Sequence, residues 1–410
     1  MIPVLDRRAL AVLGTGREAS LLEADLAAAR PRLTERLAGR RVLVIGGAGS
    51  IGSATVAELS LFDVAALHVV DVSENGLAEL TRDLRSRPAG LGIRDFRTLP
   101  LDFGSPLMQR FLEGQSPYDL VLNFAALKHV RSEKDACSLL QMLDTNVLRA
   151  GRLLEWLSGR GGTSHYFSVS TDKAANPVNL MGASKRLMEH LVFSHGRLDR
   201  RRTGVSSARF ANVAFSAGSL LEAWLLRLEK RQPLTVPRAT RRFFLSLPES
   251  GQLCLLAAGA VEDGVIVVPR LDPAVDLRDL EQVAVALLGR LGLRPWLVED
   301  EAAARGGVEA ALGRGEYPLL LTPLDTMGEK AYEEFVGTGE AAEPVGLPHL
   351  AGVRYPAHGP PALEDVVAWL QAALRPGRVV PSKAEILAQV ARVVPEMRHH
   401  ASEKSLDDRM

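Results

Sequence analysis

The sequence predicts a doubly wound, parallel α/β sheet followed by a smaller C-terminal domain. Three observations carry this. Short apolar runs alternate with amphipathic helical stretches from residue 41 to 213, a glycine-rich turn joins the first run to its helix, and the rhythm breaks after about residue 213.

In order, residues 16–40 are rich in Ala, Leu, Glu and Arg with helical spacing and read as a helical lead interrupted at Pro31. Residues 41–45 (RVLVI) form a fully apolar strand, as the buried centre of a parallel sheet requires. The turn 46–52 and a helix over 54–62 follow, then a strand over 66–70 ending at Asp71. Strands at 97–101, 120–124, 165–170 and 205–210 alternate with helices at 105–113, 139–158 and 182–195. This gives a nucleotide-binding unit over 41–213. A substrate-binding lid over 214–350, partly interleaved with the sheet, is expected to hold helix 248–258, strand 265–269 and helix 277–291. Residues 1–40 form the lead, and 351–410 a C-terminal helical tail with a helix over 382–393 and a loose, charged end.

The chain has 410 residues, 47% of them hydrophobic, and a formal net charge of zero. That supports a large core and gives no footing for nucleic-acid binding. The two cysteines, Cys137 and Cys254, form no CxxC pair, so two buried thiols in a reducing compartment are expected, and no metal. The apolar run 253–268 is broken by Glu262 and Asp263, short of the roughly 20 residues of a membrane span. No signal-peptide pattern opens the chain, and a cytoplasmic protein is the expectation.

Gly46-x-x-Gly49-x-x-Gly52 stands between strand and helix, where glycines let the backbone turn tightly and approach a pyrophosphate at the helix N-terminus. Asp71, at the end of the second strand, is placed for ribose hydroxyls and would repel a 2′-phosphate, which favours NAD over NADP. Asp102, closing the third strand, fits an adenine contact, although such a residue also serves as a turn former. Ala125 and Ala126 after the fourth strand are small enough to let a cofactor pass.

The segment 170–185 (STDKAANPVNLMGASK) concentrates chemistry. Lysine makes up only eight of the 49 basic residues, none before Lys128, so Lys128, Lys173 and Lys185 stand out in an arginine-rich chain. Met181 and Lys185, four apart, share one helical face.

Together, GGAGSIGS (46–53), DVSEN (71–75), FAALKHV (124–130), TN (145–146), STDKAANPVNLMGASKR (170–186), ARFANV (208–213), SAGS (216–219), TRRFFLSLPE (240–249) and GEKAYEE (328–334) resemble the extended short-chain dehydrogenase/reductases. Within these they look like the UDP-N-acetylglucosamine 4,6-dehydratase group of polysaccharide-biosynthesis proteins, over roughly residues 40 to 335. The resemblance implies a Rossmann-type sheet, tightly bound NAD and a homo-oligomer formed through the helices starting near Leu139 and Gly182. It places Gly46, Gly49, Ser50, Ile51, Gly52, Asp71, Ser73, Glu74, Asp102, Phe103, Ala125, Ala126 and Lys185 at the cofactor. Most of the wider family has Tyr where this chain has Met181. A thioether cannot exchange a proton, so either the chemistry has moved to Thr171, Asp172 and Lys173 or the site is inactive. Met here is itself a feature of one branch of the group. Three departures stand beside the match: a 40-residue lead where relatives often carry a membrane-spanning region, Leu127 for a Tyr, and Thr326-Met327 for an Arg-Pro.

The implied reaction oxidises the sugar C4 hydroxyl, removes the acidified C5 proton, expels the C6 hydroxyl as water and returns the hydride to C6. Lys185 would meet the nicotinamide ribose, Thr171 the C4 hydroxyl, Asp172 the departing C6 hydroxyl, and Lys173 the C5 proton, with exchanged duties within the trio left open. Lys128, His129, Met181, Asn212, Ser219, Arg241 and Glu329 match substrate-side positions, Arg241 as a fork for a diphosphate. Arg238 and Arg242 read as surface charges. The substrate would be a UDP-N-acetylhexosamine. Two alternatives stand beside the dehydratase: a nucleotide-sugar 4-epimerase, which has little use for an Asp-Lys pair, and a non-catalytic NAD- or nucleotide-sugar-binding protein.

Overall fold

The computed structural model describes residues 5–128, 133–194, 198–323, 333–356 and 358–398. Its central sheet has nine strands, in chain order β1 (Arg41–Ile45), β2 (Ala66–Asp71), β3 (Asp95–Pro100), β4 (Leu120–Asn123), β5 (His165–Val169), β6 (Gly204–Ala208), β7 (Val265–Pro269), β8 (Ala342–Pro344) and β9 (Leu350–Arg354). Across the sheet the order is β8-β9-β7-β6-β5-β4-β1-β2-β3. From β3 to β7 every pairing is parallel, and β9 joins β7 antiparallel. This is the doubly wound Rossmann order that the sequence predicts. Strand addition reverses between β1 and β4, so a crevice opens past their carboxyl ends. The glycine turn after β1 and the loop 124–128 after β4 both emerge there.

The β1 side chains from Val42 to Ile45 are completely buried, as a strand covered on both faces must be. On one face, helices Ser50–Leu59 and Leu247–Gly259 cross so closely that a Cβ on Gly251 would lie 2.5 Å from the Ala54 backbone. Thus Leu247–Gly259 and β7 belong to the central sheet layer. The separate part of the C-terminal half is two three-stranded sheets, one of strands Asn212–Val213, Arg241–Leu245 and Leu277–Asp279, the other of Leu234–Pro237, Arg294–Val298 and Glu316–Thr322. Trp224, fully buried, sits in the core beneath them and donates to the Thr235 carbonyl at 2.9 Å.

Several boundaries differ from the sequence reading for physical reasons. Pro31 lies inside helix Glu23–Leu37 without ending it. Its ring is exposed, and burial of Leu22, Leu33 and Leu37 offsets the roughly 3 kcal/mol that a proline costs inside a helix. The helix expected over 139–158 is three pieces: Ala136–Leu143, a wider i→i+5 turn Asp144–Leu148, and Arg149–Arg160. Cys254 is buried but Cys137 is exposed. The tail is docked: helix Lys383–Ala391 buries Ile386 and Val390, Glu396 pairs with Arg186 at 3.2 Å, and the Arg398 N–H reaches the Pro177 carbonyl. With helix Leu363–Ala373 it covers helix Leu180–Phe193, of which every residue but Arg186 is buried within the chain. That helix therefore has no free face for the self-association the resemblance implied. Among the described residues no helix is long and apolar enough to cross a membrane.

Candidate active site

The cofactor end is shaped mostly by backbone. Gly46 has φ of 72°, and a Cβ there would come within 2.5 Å of the Ala125 amide, so only glycine lets the β1 turn lie against the β4 loop. A Cβ on Gly52 would strike the Gly46 carbonyl at 2.2 Å, which fixes the close packing of helix on turn. Gly49 differs. Its backbone is ordinary, and an added Cβ would meet only the Gly46 oxygen, at 3.4 Å. It heads helix Ser50–Leu59 with no side-chain cap, leaving N–H groups and open space where a pyrophosphate fits. Ile51 packs its side chain on the apolar core of this face.

Asp71 accepts the Ala48 N–H and the Ser73 N–H, both at 2.9 Å, which locks its carboxylate beside the glycine turn. Ser73 caps helix Glu74–Arg85, with Glu74 exposed in the first turn. Asp102 has a different occupation from the expected adenine contact. One oxygen accepts the Gly104 N–H at 2.9 Å and the other pairs with Arg149 at 2.5 Å. Phe103 is a core side chain, so only its backbone is free to face a ligand. The Ala125 N–H is held by Asn123, and Ala126 stays half-open beside it.

The segment expected to be catalytic forms a tight knot just after β5. Thr171 caps the single turn Asp172–Ala174, and its hydroxyl donates to Asp172 Oδ1 at 2.6 Å. The Lys173 ammonium lies 3.4 Å from both Asp172 oxygens. The Asp172 side chain is 6% exposed, while that of Lys173 is 36% exposed. Helix Leu180–Phe193 begins against this turn, because Gly182 has no Cβ: one would lie 2.4 Å from the Lys173 carbonyl. Met181 is packed in the core, and Lys185, one turn on, is buried with Nζ 3.3 Å from the Met188 sulfur. Burial pushes the Lys185 ammonium down to about 8, against the raising influence of Glu189.

On the substrate side the loop 216–219 bridges residues that the sequence assigned to separate ligands. The Ala217 N–H donates to Ser50 Oγ, and Lys128 Nζ donates to the Ala217 carbonyl, both at 2.8 Å. Ser219 caps the helix Leu220–Glu229, whose N-terminus opens the same way. Of the two adjacent arginines, Arg242 is not the surface charge expected of it. Arg241 is exposed, whereas Arg242 turns inward and lies 3.4 Å from buried Glu333. Arg238 is a surface charge paired with Glu299. Asn212 gives its amide to Glu333 at 2.5 Å. His129 and Glu329 lie outside the described residues.

Four polar groups bonded around these residues escaped the sequence reading. Asn146, on the widened helical turn, donates to the Leu127 carbonyl and to Ser184 Oγ, both at 2.9 Å, tying the β4 loop to the helix of Lys185. Glu133 accepts the Met181 N–H at 2.9 Å, and burial raises its carboxyl. Beneath the catalytic turn, Glu189 receives the Ser170 hydroxyl and two Arg209 bonds, all at 2.6 to 2.7 Å. Burial alone would raise Glu189, but Arg209 and Arg186 hold it at about 2. Glu340 completes the network, bonded to Arg209 and Arg186 at 2.6 Å. The TN pair at 145–146 carried a signal for Asn146. The others come together from distant segments and left none.

A doubly wound sheet with a glycine turn at its switch point is a Rossmann-type nucleotide-binding fold, and the Thr-Asp-Lys-helix-Lys array set on it is the part that resembles the extended short-chain dehydrogenase/reductases. The model of one family, "Polysaccharide biosynthesis protein", matches residues 42–353, and the chain belongs to that family. Among its relatives are an "Uncharacterized membrane protein" of Methanocaldococcus jannaschii, 32% identical over 72% of this chain and 80% of the relative. The "Capsular polysaccharide biosynthesis protein CapD" of Staphylococcus aureus is 30% identical over 74% of this chain, which spans only 48% of that relative's length. A "UDP-glucose 4-epimerase" of Rickettsia bellii is 28% identical over 61% of this chain and 70% of the relative. Among solved structures, Pen from Bacillus thuringiensis shares the fold, with a TM-score of 0.62 and 22% identity over 78% of this chain and 89% of Pen.

Proposed function

We propose that this protein is an NAD-dependent nucleotide-sugar 4,6-dehydratase acting on a UDP-N-acetylhexosamine. The observation that carries the reading is the bonded trio Thr171-Asp172-Lys173, set against the helix of Lys185. The open side of Gly49, the fixed Asp71 carboxylate and the small Ala125 and Ala126 fit NAD, with Lys185 at its nicotinamide ribose. When bound, NAD supplies a hydride acceptor at C4 and the donor at C6.

The chain's own residues would manage the protons. Thr171 receives the C4 hydroxyl proton and passes it along its 2.6 Å bond to Asp172. Asp172 then gives a proton to the leaving C6 oxygen, which departs as water. Lys173 takes the C5 proton, and the electrons of that C–H bond form the C5–C6 double bond. Lys173 then returns a proton to C5 as C6 receives the hydride. The N-terminus of helix Leu220–Glu229 and exposed Arg241 are suited to the diphosphate.

A nucleotide-sugar 4-epimerase is the second reading, favoured by the name of the Rickettsia relative. It needs no proton donor at O6 and so leaves the Asp172–Lys173 pair without work. Mass spectrometry separates the two after UDP-N-acetylglucosamine is incubated with the purified protein in heavy water, without added NAD. A product lighter by one water and carrying deuterium at C5 is the expected result. An unchanged mass with conversion to the 4-epimer would replace the dehydratase by the epimerase.

A further inference from the structure

We propose that Arg17, in the lead segment, is a positioning residue for the nucleotide end of the site. On the nucleotide-sugar reading given above, it sets the strand that presents Arg241 to the diphosphate. The strand Arg241–Leu245 belongs to one of the small sheets, and after Ser246 the chain enters helix Leu247–Gly259 of the central layer. That corner is a joint between the sheet carrying Arg241 and the layer carrying the glycine turn, against whose helix Gly251 packs.

Arg17 spans the joint. On the helix side, its Nε and Nη2 donate to the two oxygens of buried Glu249 at 2.9 and 2.8 Å. On the strand side, Nη2 also donates to the Phe244 carbonyl at 3.0 Å, and Nη1 to Oδ1 of buried Asp276 at 2.9 Å. Asp276 leads into strand Leu277–Asp279, whose register sets Leu277 opposite Phe243 and Asp279 opposite Arg241. One guanidinium thus holds both strands of this pair and the helix that follows the corner.

The approach of Arg17 is built into the lead. Helix Arg7–Thr15 ends at Gly16, whose φ of 77° turns the chain, and Thr15 Oγ1 accepts the Arg17 N–H at 3.1 Å. Leu13, before the turn, packs in the core beneath the small sheets, and Leu22, after it, in the core of the central layer. The Leu21 N–H adds a further bond to Glu249 Oε1 at 2.8 Å. The lead therefore straddles the joint, with Arg17 at the crossing. Its three guanidinium nitrogens make four bonds there. A lysine has one nitrogen and cannot reach Glu249, Asp276 and the Phe244 carbonyl together, so Arg17→Lys keeps the charge and releases the strand.

The test is Arg17→Lys in the full chain, read by calorimetric titration with UDP, by the NAD retained after purification and by hydrogen exchange. The UDP dissociation constant should rise about tenfold or more, as the loss of one hydrogen bond to a charged group implies. Retained NAD should match the parent, because the glycine turn and Asp71 are untouched. Amides of 241–245 should exchange faster, while those of helix Ser50–Leu59 keep their rates. In turnover the change should fall on KM for the nucleotide sugar, with kcat within about twofold. Asp276→Asn, which weakens one bond of the four, should give the same pattern at smaller size, and it decides the matter if the lysine variant does not fold. Unchanged UDP affinity in a folded variant would overturn the proposal. So would equal losses of UDP and NAD, the mark of a residue that only supports the fold. If the unaltered protein binds no UDP, the nucleotide-sugar reading fails on that result alone, while exchange at 241–245 still decides whether Arg17 holds the strand.

Discussion

The two ends of the crevice are built from different materials. The cofactor end is backbone: a left-handed glycine, a helix N-terminus and one carboxylate held by two backbone N–H groups. The substrate end is side chain: Glu333 on Asn212 and Arg242, Glu189 on Arg209, Glu340 on both arginines of the network. Backbone shape is written locally, in consecutive residues. Buried charge networks join residues from 20 to 154 positions apart, and their energies depend on every member being present.

The sharpest way to break this comparison is to remove the carboxylate at the centre of the network. Arg209 is completely buried and donates two of its bonds to Glu189. Glu189→Gln leaves the guanidinium with Glu340 and a neutral amide, a loss of about 3–5 kcal/mol for a broken buried pair. The pH dependence has a definite sign. Glu189 sits at about 2, below an unfolded value near 4.3, so its contribution is complete above about pH 4.3 and fades as pH falls toward 2. Chemical denaturation at pH 7 and at pH 3 checks both points. A loss under about 1 kcal/mol at pH 7 would show that the network carries little of the fold.

The cofactor end should behave differently, and two glycines separate its two duties. Gly46→Ala places a side chain at φ 72° and against the Ala125 amide, costing about 1–3 kcal/mol of stability as well as NAD. Gly49→Ala meets no such obstacle, so its folding should change by under about 0.5 kcal/mol. Its methyl instead enters the space kept for the pyrophosphate, and NAD retention should fall about tenfold or more. Thermal unfolding together with release of bound nucleotide by heat measures both. If Gly49→Ala loses stability as Gly46→Ala does, or keeps its NAD, the division between fold glycine and ligand glycine is wrong.

What was legible in the sequence follows the same line. The glycine turn, Asp71 and the Thr171-Asp172-Lys173 cluster are each encoded within a few consecutive residues. Asp102 was legible as a polar group at a strand end and Asn212 as a substrate-side position through the resemblance, but their partners, Arg149 and Glu333, come from another helix or a distant segment. Adjacent Arg241 and Arg242 could not be told apart from spacing alone. A strand alternates its faces, and which face is inward depends on the elements packed over it. The docked tail was unreadable for a related reason: its amphipathic helix shows an apolar stripe but not the surface it covers.

Lys185 tests the idea at its smallest scale, where one residue belongs to both ends. It is a side chain of the helix beneath the catalytic turn, yet its assigned partner is the cofactor ribose. Burial holds it at about 8, below the roughly 10.4 of a free lysine. Between those values the folded chain binds fewer protons than the unfolded one, so stability rises with pH across that window. Below it the full cost of the buried ammonium is present. Lys185→Met, compared with the parent after nucleotide is stripped from both, should therefore raise the melting temperature at pH 7 by a few degrees. That advantage should disappear near pH 10.4, while turnover is lost throughout. A lower melting temperature at pH 7 would mean that Glu189 and the Met188 sulfur already satisfy the ammonium. The lysine would then be part of the fold, and the cofactor merely its neighbour.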